Sequence, residues 1–289
     1  MRPVLLPLAE RLGRRALHQR GVRSRWVETK EGWLHVYDAP GSTENGALPT
    51  VVILHGLSSS ATPFGPVLLR LRRHVRRVVA PDYPGHGFSD HARPLSPAAL
   101  FDSVNAVLES LEVEPAILVG NSLGGAIALH VATERPERVR ALVLVSPAGA
   151  HSTNDEWSEL RRRFDLRSRR DGLVFARRLY HHPPRTLALF AHELPAMVSR
   201  PAVRELMDGA SNDVFPTKEA IASLPMPILL LWGKDERLLP ESHYEFFAQS
   251  LPKHAVIERP ETYAHCPHFD QPADLAARIV AFAREHIGP

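Results

Sequence analysis

Residues 116–125, AILVGNSLGG, contain the strongest indication of how this chain folds. Their first four residues form a short, branched apolar run that predicts a buried strand, and residues 126–132, AIALHVA, predict a closely packed helix. The turn between them has the pattern Gly-x-Ser-x-Gly, which is typical of a nucleophile elbow. Side chains at positions 120 and 124 would collide with neighbouring backbone in so tight a turn. The strain lifts the Ser122 hydroxyl clear of the sheet, at the N-terminus of a helix whose dipole favours a developing negative charge.

Composition narrows the class of protein. The 289 residues are 44% hydrophobic and 23% charged, which is typical of a globular chain with one well-filled core or two small ones. A net charge of +3 is too small to indicate nucleic-acid binding. The single cysteine, Cys266, excludes an internal disulfide and suits a reducing compartment. No apolar run approaches the roughly 20 residues of a membrane helix, and the run at 4–9 is too short for a secretory signal. These features predict a cytoplasmic protein.

The order of elements predicts the architecture. Strands are expected at 25–30 and 33–38, joined as a hairpin, and then at 50–54, 75–80, 116–119, 139–145, 228–232 and 255–258. Helices are expected between most of them, and their apolar runs are continuous rather than alternating. That combination indicates an α/β protein with a mostly parallel sheet covered on both faces.

The alternation stops between residues 150 and 224, where helical patterns occur without a convincing strand. We therefore predict a helical cap at 150–224 and a core made of 1–149 and 225–289. The cap carries several arginine runs, such as 161–163, which could steer an anion or bind a membrane but are more typical of solvated helix faces. Its large apolar residues are expected to line a cavity over Ser122: Trp157, Phe164, Phe175, Leu187, Phe190, Leu194 and Met197.

The first 24 residues predict a helical extension of the core. Leucines recur at helical spacing at positions 5, 8 and 12, with arginines on other faces. One interpretation is weak contact of this basic helix, or of the cap, with an anionic membrane surface. We favour the other interpretation, a helix that packs its leucine face on the domain, because Pro7 and Gly13 weaken a surface helix.

Ser122 needs two partners to act as a nucleophile, and the chain offers them. A neutral imidazole must take the serine proton, and a carboxylate must hold that imidazole in the correct tautomer. Asp235 and His265 each follow a predicted strand, and the carboxyl ends of parallel strands meet at one edge of a sheet. The order Ser122, Asp235, His265 is the order expected with an elbow. Glu236 is the alternative acid.

These motifs together resemble the α/β-hydrolase superfamily from Trp26 to His286. The matching segments are His55-Gly56, Asp82-Tyr83-Pro84-Gly85-His86-Gly87-Phe88-Ser89, the elbow, Gly233-Lys234-Asp235, and His265 with Pro267. The resemblance implies an eight-stranded, mostly parallel sheet flanked by helices, with the second strand antiparallel and the cap after the sixth. Ala264 departs from the family, which usually has glycine before the histidine. For the oxyanion, the candidate donors are the backbone N–H groups of Leu57 and Leu123.

Other histidines in neighbouring loops are alternatives to His265. His268 could be the base instead, but family spacing to Pro267 favours His265. His55 and His86 are structural in the family pattern. His265, Cys266 and His268 do not form a convincing metal site, because Pro267 breaks a helical face and no second ligand pair is evident. The prediction is that neither a metal nor a cofactor is needed.

The residue types also indicate the reaction. Serine at the elbow disfavours dehalogenases and epoxide hydrolases, which resemble this fold but use aspartate there. Leu57 and the serines after it suit a carboxylesterase or monoacylglycerol-lipase-like enzyme acting on short- to medium-chain esters. Two alternatives stay open: a carbon–carbon bond hydrolase, and a ligand receptor or sensor that keeps the triad without turnover.

Overall fold

The computed structural model describes residues 3–43 and 47–288. The parts of the predicted segments that fall on residues 1–2, 44–46 and 289 lie outside the described residues. The described residues form one sheet in the order β1-β2-β4-β3-β5-β6-β7-β8. The strands are β1 (Arg23–Thr29), β2 (Gly32–Pro40), β3 (Val51–Leu54), β4 (Arg77–Pro81), β5 (Ala116–Asn121), β6 (Val139–Val145), β7 (Ile228–Leu231) and β8 (Val256–Glu258).

The sheet is parallel from β4 to β8, while β2 runs antiparallel to both of its neighbours. Every residue of β3, β5 and β7 is buried, as expected for strands covered on both faces. The predicted α/β-hydrolase fold, with eight strands and an antiparallel second strand, is confirmed. Its parallel strands bring the loops after β3, β5, β7 and β8 to one edge.

Helices cover both faces of the sheet. In the described residues they are α1 (Leu5–His18), α2 (Gly65–Leu71), α3 (Pro97–Ser110), α4 (Leu123–Glu134), α5 (Asn154–Phe164), α6 (Arg169–Leu179), α7 (Leu187–Phe190), α8 (Leu194–Val198), α9 (Pro201–Gly209), α10 (Lys218–Ala222), α11 (Glu241–Ser250), α12 (Pro267–Asp270) and α13 (Pro272–Ile287). Short 3₁₀ turns occupy Thr62–Phe64, Pro136–Arg138 and Asn212–Val214. None of the helices in the described ranges is both long and apolar enough to cross a bilayer.

The helices α5 to α10 lie between β6 and β7, where the cap was predicted. No strand occurs from residue 146 to residue 227, a part of the chain that is described throughout. Local sequence sets where these helices begin: Thr153 and Glu156 form a capping box at α5, and Ser168 caps α6. The exact division of the chain at residues 150 and 224 stays a prediction.

The N-terminal helix packs with the opposite face from the one we expected. Leu17 is buried, and a Cβ added at Gly13 would lie 2.6 Å from the side chain of Thr62. The face that meets the domain therefore runs through Gly13 and Leu17, because only glycine allows so close an approach. Leu5, Leu8 and Leu12 are exposed instead. The prediction that the leucine face packs on the domain is wrong.

Candidate active site

Ser122 lies at the turn between β5 and α4 with φ 55° and ψ −120°. This conformation is strained for a residue with a side chain. The flanking glycines permit it: a Cβ at Gly120 would lie 2.2 Å from the carbonyl oxygen of Gly124, and one at Gly124 would lie 2.0 Å from that of Leu54. The tight turn inferred from the sequence is therefore present, and it directs the serine into the space under the cap.

Two backbone N–H groups next to Ser122 are free to donate. Those of Leu57 and Leu123 have no hydrogen-bond acceptor among the described residues. Gly56 brings the peptide of Leu57 close, because a Cβ added there would lie 3.3 Å from the Cβ of Ser122. Leu123 is the first residue of α4, where the helix dipole favours negative charge. These are the two groups that the sequence suggested for an oxyanion.

The structure places His265 against Glu236 rather than Asp235. The Nδ1 atom of His265 lies 2.8 Å from Oε2 of Glu236, and the two side chains are only 2% and 3% exposed. Oε1 of the same carboxylate accepts the backbone N–H groups of Leu238 at 2.7 Å and Leu239 at 3.0 Å. The carboxylate is therefore fixed on the imidazole by the loop that follows β7.

Asp235 points away from His265. Its carboxylate pairs with Arg237, whose Nε lies 2.8 Å from Oδ1, and with Nδ1 of His181 at 2.9 Å. Asp235 is also the more exposed of the two neighbouring acids, with 26% of its side chain accessible. The prediction that Asp235 orients the histidine is therefore wrong, and the alternative acid, Glu236, occupies that place. Glu236 comes one residue later, so its side chain leaves the turn in a different direction. Glutamate is also one methylene longer than aspartate, so its carboxylate extends further from the backbone.

The charge on Glu236 is stabilised in the buried site. Burial alone would raise the pKa of this carboxyl, but the His265 imidazole and the Leu239 N–H outweigh burial and hold its pKa below the usual value. An ionised carboxylate on Nδ1 fixes the tautomer in which Nε2 carries no proton. The other ring nitrogen is then ready to accept one.

Asn121 links the turn that carries Ser122 to the loop that carries His265, and the sequence analysis did not identify it. Its side-chain amide donates to the carbonyl oxygen of His265 at 2.8 Å and to that of Val145 at 3.0 Å. Asn121 is buried and immediately precedes Ser122, so it holds the histidine loop at a fixed distance from the elbow. The sequence indicated it only through a polar residue at the end of an otherwise apolar strand. Cys266 lies on the other side of this amide, with Sγ 3.6 Å from Oδ1, and burial raises its pKa well above the usual value.

The rival histidines occupy packed positions. His55 stacks on Tyr83 with ring centroids 3.9 Å apart, and its Nδ1 lies 2.8 Å from the carbonyl oxygen of Gly56. His268 stacks on Phe64 at 3.8 Å, and burial lowers its pKa to about 3. His55, His86 and His268 are absent from the lining of the cavity that contains Ser122 and His265. Over 3–43 and 47–288, no three His, Cys, Asp or Glu side chains are grouped as a metal site requires.

Two cavities flank Ser122. The larger, of about 380 Å³, is also lined by His265 and by six of the seven cap residues that we expected there: Phe164, Phe175, Leu187, Phe190, Leu194 and Met197. The seventh, Trp157, lines the smaller cavity of about 60 Å³, together with Ser122, Leu123 and Leu239. The larger volume is in the range of small-molecule sites. The smaller has the liquid volume of about two waters, so it holds only a group of a few heavy atoms.

Polar residues are present at one part of the larger cavity. Glu10 of α1 lines it together with Ser60, Thr62 and Arg200. Burial raises the pKa of Glu10, although hydrogen bonds from Ser60 and Thr62 and the charge of Arg200 oppose that shift. Its Oε1 is buried without a hydrogen-bond partner among the described residues. The cavity therefore combines an apolar wall with a small group of polar and charged side chains.

Comparison with known proteins identifies the family of this chain. Residues 49–274 match the family described as alpha/beta hydrolase fold. A solved structure with a similar fold is carboxylesterase CesB from Bacillus subtilis, with a TM-score of 0.75 and 22% identity, covering 96% of this chain and 98% of that one. The chain belongs to the α/β-hydrolase fold family.

Its relatives differ in their reactions. A 2-hydroxymuconate semialdehyde hydrolase from Pseudomonas sp. (strain CF600) is 32% identical over 271 residues, which are 84% of this chain and 88% of the relative. A pimeloyl-acyl-carrier-protein methyl ester esterase from Xanthomonas campestris is 29% identical over 249 residues, 81% of this chain and 95% of the relative. This chain spans only 57% of a third, the dihydrolipoyllysine-residue acetyltransferase component of an acetoin cleaving system from Pseudomonas putida, with 29% identity over 73% of this chain.

Proposed function

We propose that this protein hydrolyses carboxylic esters through an acyl intermediate on Ser122, with His265 as the base and Glu236 as the orienting acid. One observation carries the proposal: a strained serine and a histidine fixed on a buried carboxylate line the same apolar cavity. The esterase among the relatives supports this reaction.

The groups present can carry each step. Nε2 of His265 takes the proton of the Ser122 hydroxyl as Oγ bonds to the ester carbon. The carbonyl electrons move onto oxygen, where the N–H groups of Leu57 and Leu123 stabilise the anion, each by about 3–4 kcal/mol. When the intermediate collapses, the bond to the alcohol breaks, and the imidazolium returns the proton to the leaving oxygen. Water then repeats the sequence on the acyl-serine, and the acid is released.

The cavities indicate the substrate. An apolar chain fits the larger cavity, because aromatic and aliphatic cap residues dominate its lining. The Glu10 carboxyl, which also lines this cavity, suits a hydroxyl in the same substrate. A short- or medium-chain ester with a hydroxylated alcohol, such as a monoacylglycerol, presents both features.

A carbon–carbon bond hydrolase is the second candidate, since the relative with 32% identity is named 2-hydroxymuconate semialdehyde hydrolase. Its substrate would then be an unsaturated semialdehyde acid rather than an ester. Parallel assays of 2-hydroxymuconate semialdehyde and of a p-nitrophenyl ester separate the two candidates. Faster turnover of the semialdehyde would overturn the ester proposal, and absence of turnover on both would favour a receptor.

Chain length is expected to control turnover of p-nitrophenyl esters. Each methylene buried in the larger cavity contributes roughly 0.8 kcal/mol, so kcat/KM should rise by up to about fourfold per carbon until the cavity is filled. Phe175→Ala and Leu194→Ala should shift the optimum to longer chains, whereas Leu189→Ala, on the exposed side of α7, should not. A profile that is flat in chain length, and unmoved by these substitutions, would show that the cap does not form the pocket.

Glu10 is expected to select hydroxylated esters. Glu10→Ala should lower kcat/KM for a glycerol monoester by roughly tenfold, because a hydrogen bond to a buried carboxyl is lost, and should leave the methyl ester of the same acid nearly unchanged. Glu28→Ala, which alters an exposed carboxylate on β1, is the control. Equal losses on both esters would show that Glu10 supports the fold and does not select the substrate.

A further inference from the structure

The outer face of α1 carries an apolar surface that nothing in the described chain covers. Val4, Leu5, Leu8 and Leu12 are 65%, 37%, 49% and 53% exposed, and we call this set the leucine stripe. The three leucines recur at spacings of three and four residues, which places them on one side of the helix, and Val4 directly precedes its first turn. A single exposed apolar side chain is ordinary, but four close together along the start of one helix mark an interaction surface.

Basic side chains adjoin the leucine stripe. Arg11 and Arg15 are exposed on the same side of α1, and neither forms an ion pair with a described residue. Glu10 is the sole carboxylate of α1, and it faces the cavity instead. The basic character continues beyond the helix, where four arginines line a groove at its C-terminal end: Arg20, Arg70, Arg72 and Arg73.

Contacts at the start and in the middle of α1 fix its orientation, so the leucine stripe faces outward. The carboxylate of Glu193, in the cap, accepts the backbone N–H groups of Val4, Leu5 and Leu6, each at 2.7 Å. The carboxylate is 3% exposed, so this contact is a buried anchor for the first turn of α1. The opposite face is occupied by the contact of Gly13 with Thr62. The orientation of the leucine stripe is therefore fixed by the fold.

We propose that the outer face of α1 docks on an anionic lipid bilayer, with the leucine stripe inserted at the level of the headgroups and Arg11 and Arg15 paired with lipid phosphates. Exposed leucines interleaved with arginines, with no carboxylate on the same face, are the composition of a helix that lies in a membrane interface. A second copy of this chain fits less well. A symmetric dimer through this face would bring the arginines of both helices together with no acid to neutralise them.

The position of α1 connects docking to the site. Leu6, Ala9 and Glu10 line the larger cavity from the other side of the same helix. A docked enzyme therefore has one wall of its cavity at the lipid surface, where an amphipathic monoester would be dissolved. This last step rests on the proposed function, whereas the docking itself does not.

Vesicle sedimentation tests the docking with the full chain. Wild-type protein should sediment with vesicles of phosphatidylcholine mixed with phosphatidylglycerol, less with phosphatidylcholine alone, and less as salt rises, because screening weakens the arginine contacts. Leu8→Ser with Leu12→Ser should lower the partition constant by roughly tenfold or more, since about half of each leucine side chain is available to the lipid. Arg11→Gln with Arg15→Gln should lower it about thirtyfold on the anionic vesicles only.

The matched control is Ile257→Ser with Lys253→Gln, which removes an exposed apolar and a basic side chain near β8, at the opposite edge of the sheet from β1. It should leave sedimentation unchanged, and all variants should keep wild-type turnover of a soluble p-nitrophenyl ester.

Wild-type protein that stays in the supernatant, or leucine variants that sediment like wild type, would overturn the proposal. So would a dimer in sedimentation velocity that the leucine substitutions dissociate, because a second copy would then cover the stripe. Sedimentation needs no turnover, so its result stands even if Ser122 proves inert.

Discussion

Ser122→Ala is expected to lower kcat on p-nitrophenyl esters by on the order of 10⁶-fold, the size of loss that follows removal of the nucleophile in a serine protease of known mechanism. The reason is structural as well as chemical. Alanine keeps the Cβ that the turn already accommodates, while the oxygen that bonds to the ester carbon is lost. The fold should therefore survive the change, which thermal unfolding followed by circular dichroism would verify.

A fluorophosphonate provides the second readout for the same residue. It should label wild-type protein once, at Ser122, and should not label the alanine variant. Ser146 is the useful comparison, since it also follows a strand, has a positive φ of 39° and is buried. Ser146→Ala should keep the labelling at Ser122 and should lower turnover far less than Ser122→Ala does, because its hydroxyl only helps to lower the pKa of the Glu236 carboxyl. Labelling that persists in Ser122→Ala and disappears in Ser146→Ala would refute the assignment of the nucleophile.

The elements that local sequence determines strongly were predictable. The strand at 116–119 and the glycines at 120 and 124 predicted the turn, because a buried apolar run and a backbone that excludes side chains leave few conformations. Ser96 followed by Pro97 is likewise typical of a helix start, and α3 begins there, where the Ser96 hydroxyl accepts the N–H of Ala99 at 3.1 Å. In these cases the information lies within a few residues of the feature.

Features that depend on tertiary contacts were not predictable in the same way. The leucine spacing in α1 indicated an amphipathic helix, but which face packs was set by Gly13 against Thr62 and by the anchor on Glu193. Nothing local to α1 reveals either contact. Asn121 was missed for the same reason, since its partner carbonyl belongs to a residue 144 positions away.

The choice between Asp235 and Glu236 as the acid that orients His265 also depends on tertiary contacts. It leads to the second prediction of a large loss of activity. Both acids follow β7, and family resemblance favoured the first. The structure separates them through Arg237, which pairs with Asp235, and through the N–H groups of Leu238 and Leu239, which hold Glu236 inward. Two adjacent carboxylates thus have opposite environments, one at the surface in an ion-pair cluster and one buried on an imidazole.

Glu236→Gln is expected to lower kcat/KM by about 10⁴-fold, the cost of the equivalent exchange in a comparable triad. The amide keeps the shape but has no charge to stabilise the imidazolium, and its N–H₂ favours the tautomer in which Nε2 holds a proton. Asp235→Asn should change kcat/KM by no more than about threefold, since it removes only partly exposed ion pairs. For each variant, kcat/KM should be measured together with the second-order rate constant of fluorophosphonate labelling.

Two further variants make the comparison decisive, because Glu236 is buried and its substitution could disturb the loop. Glu236→Asp retains the charge and should recover part of the rate, whereas Glu236→Gln with Asp235→Asn should be no slower than Glu236→Gln alone if Asp235 has no part in the reaction. Melting temperatures close to wild type would exclude unfolding as the cause. If Asp235→Asn instead lost the activity and Glu236→Gln kept it, the carboxylate that works in turnover would be the one that the sequence favoured, and the loop after β7 would have to rearrange by one residue when substrate binds.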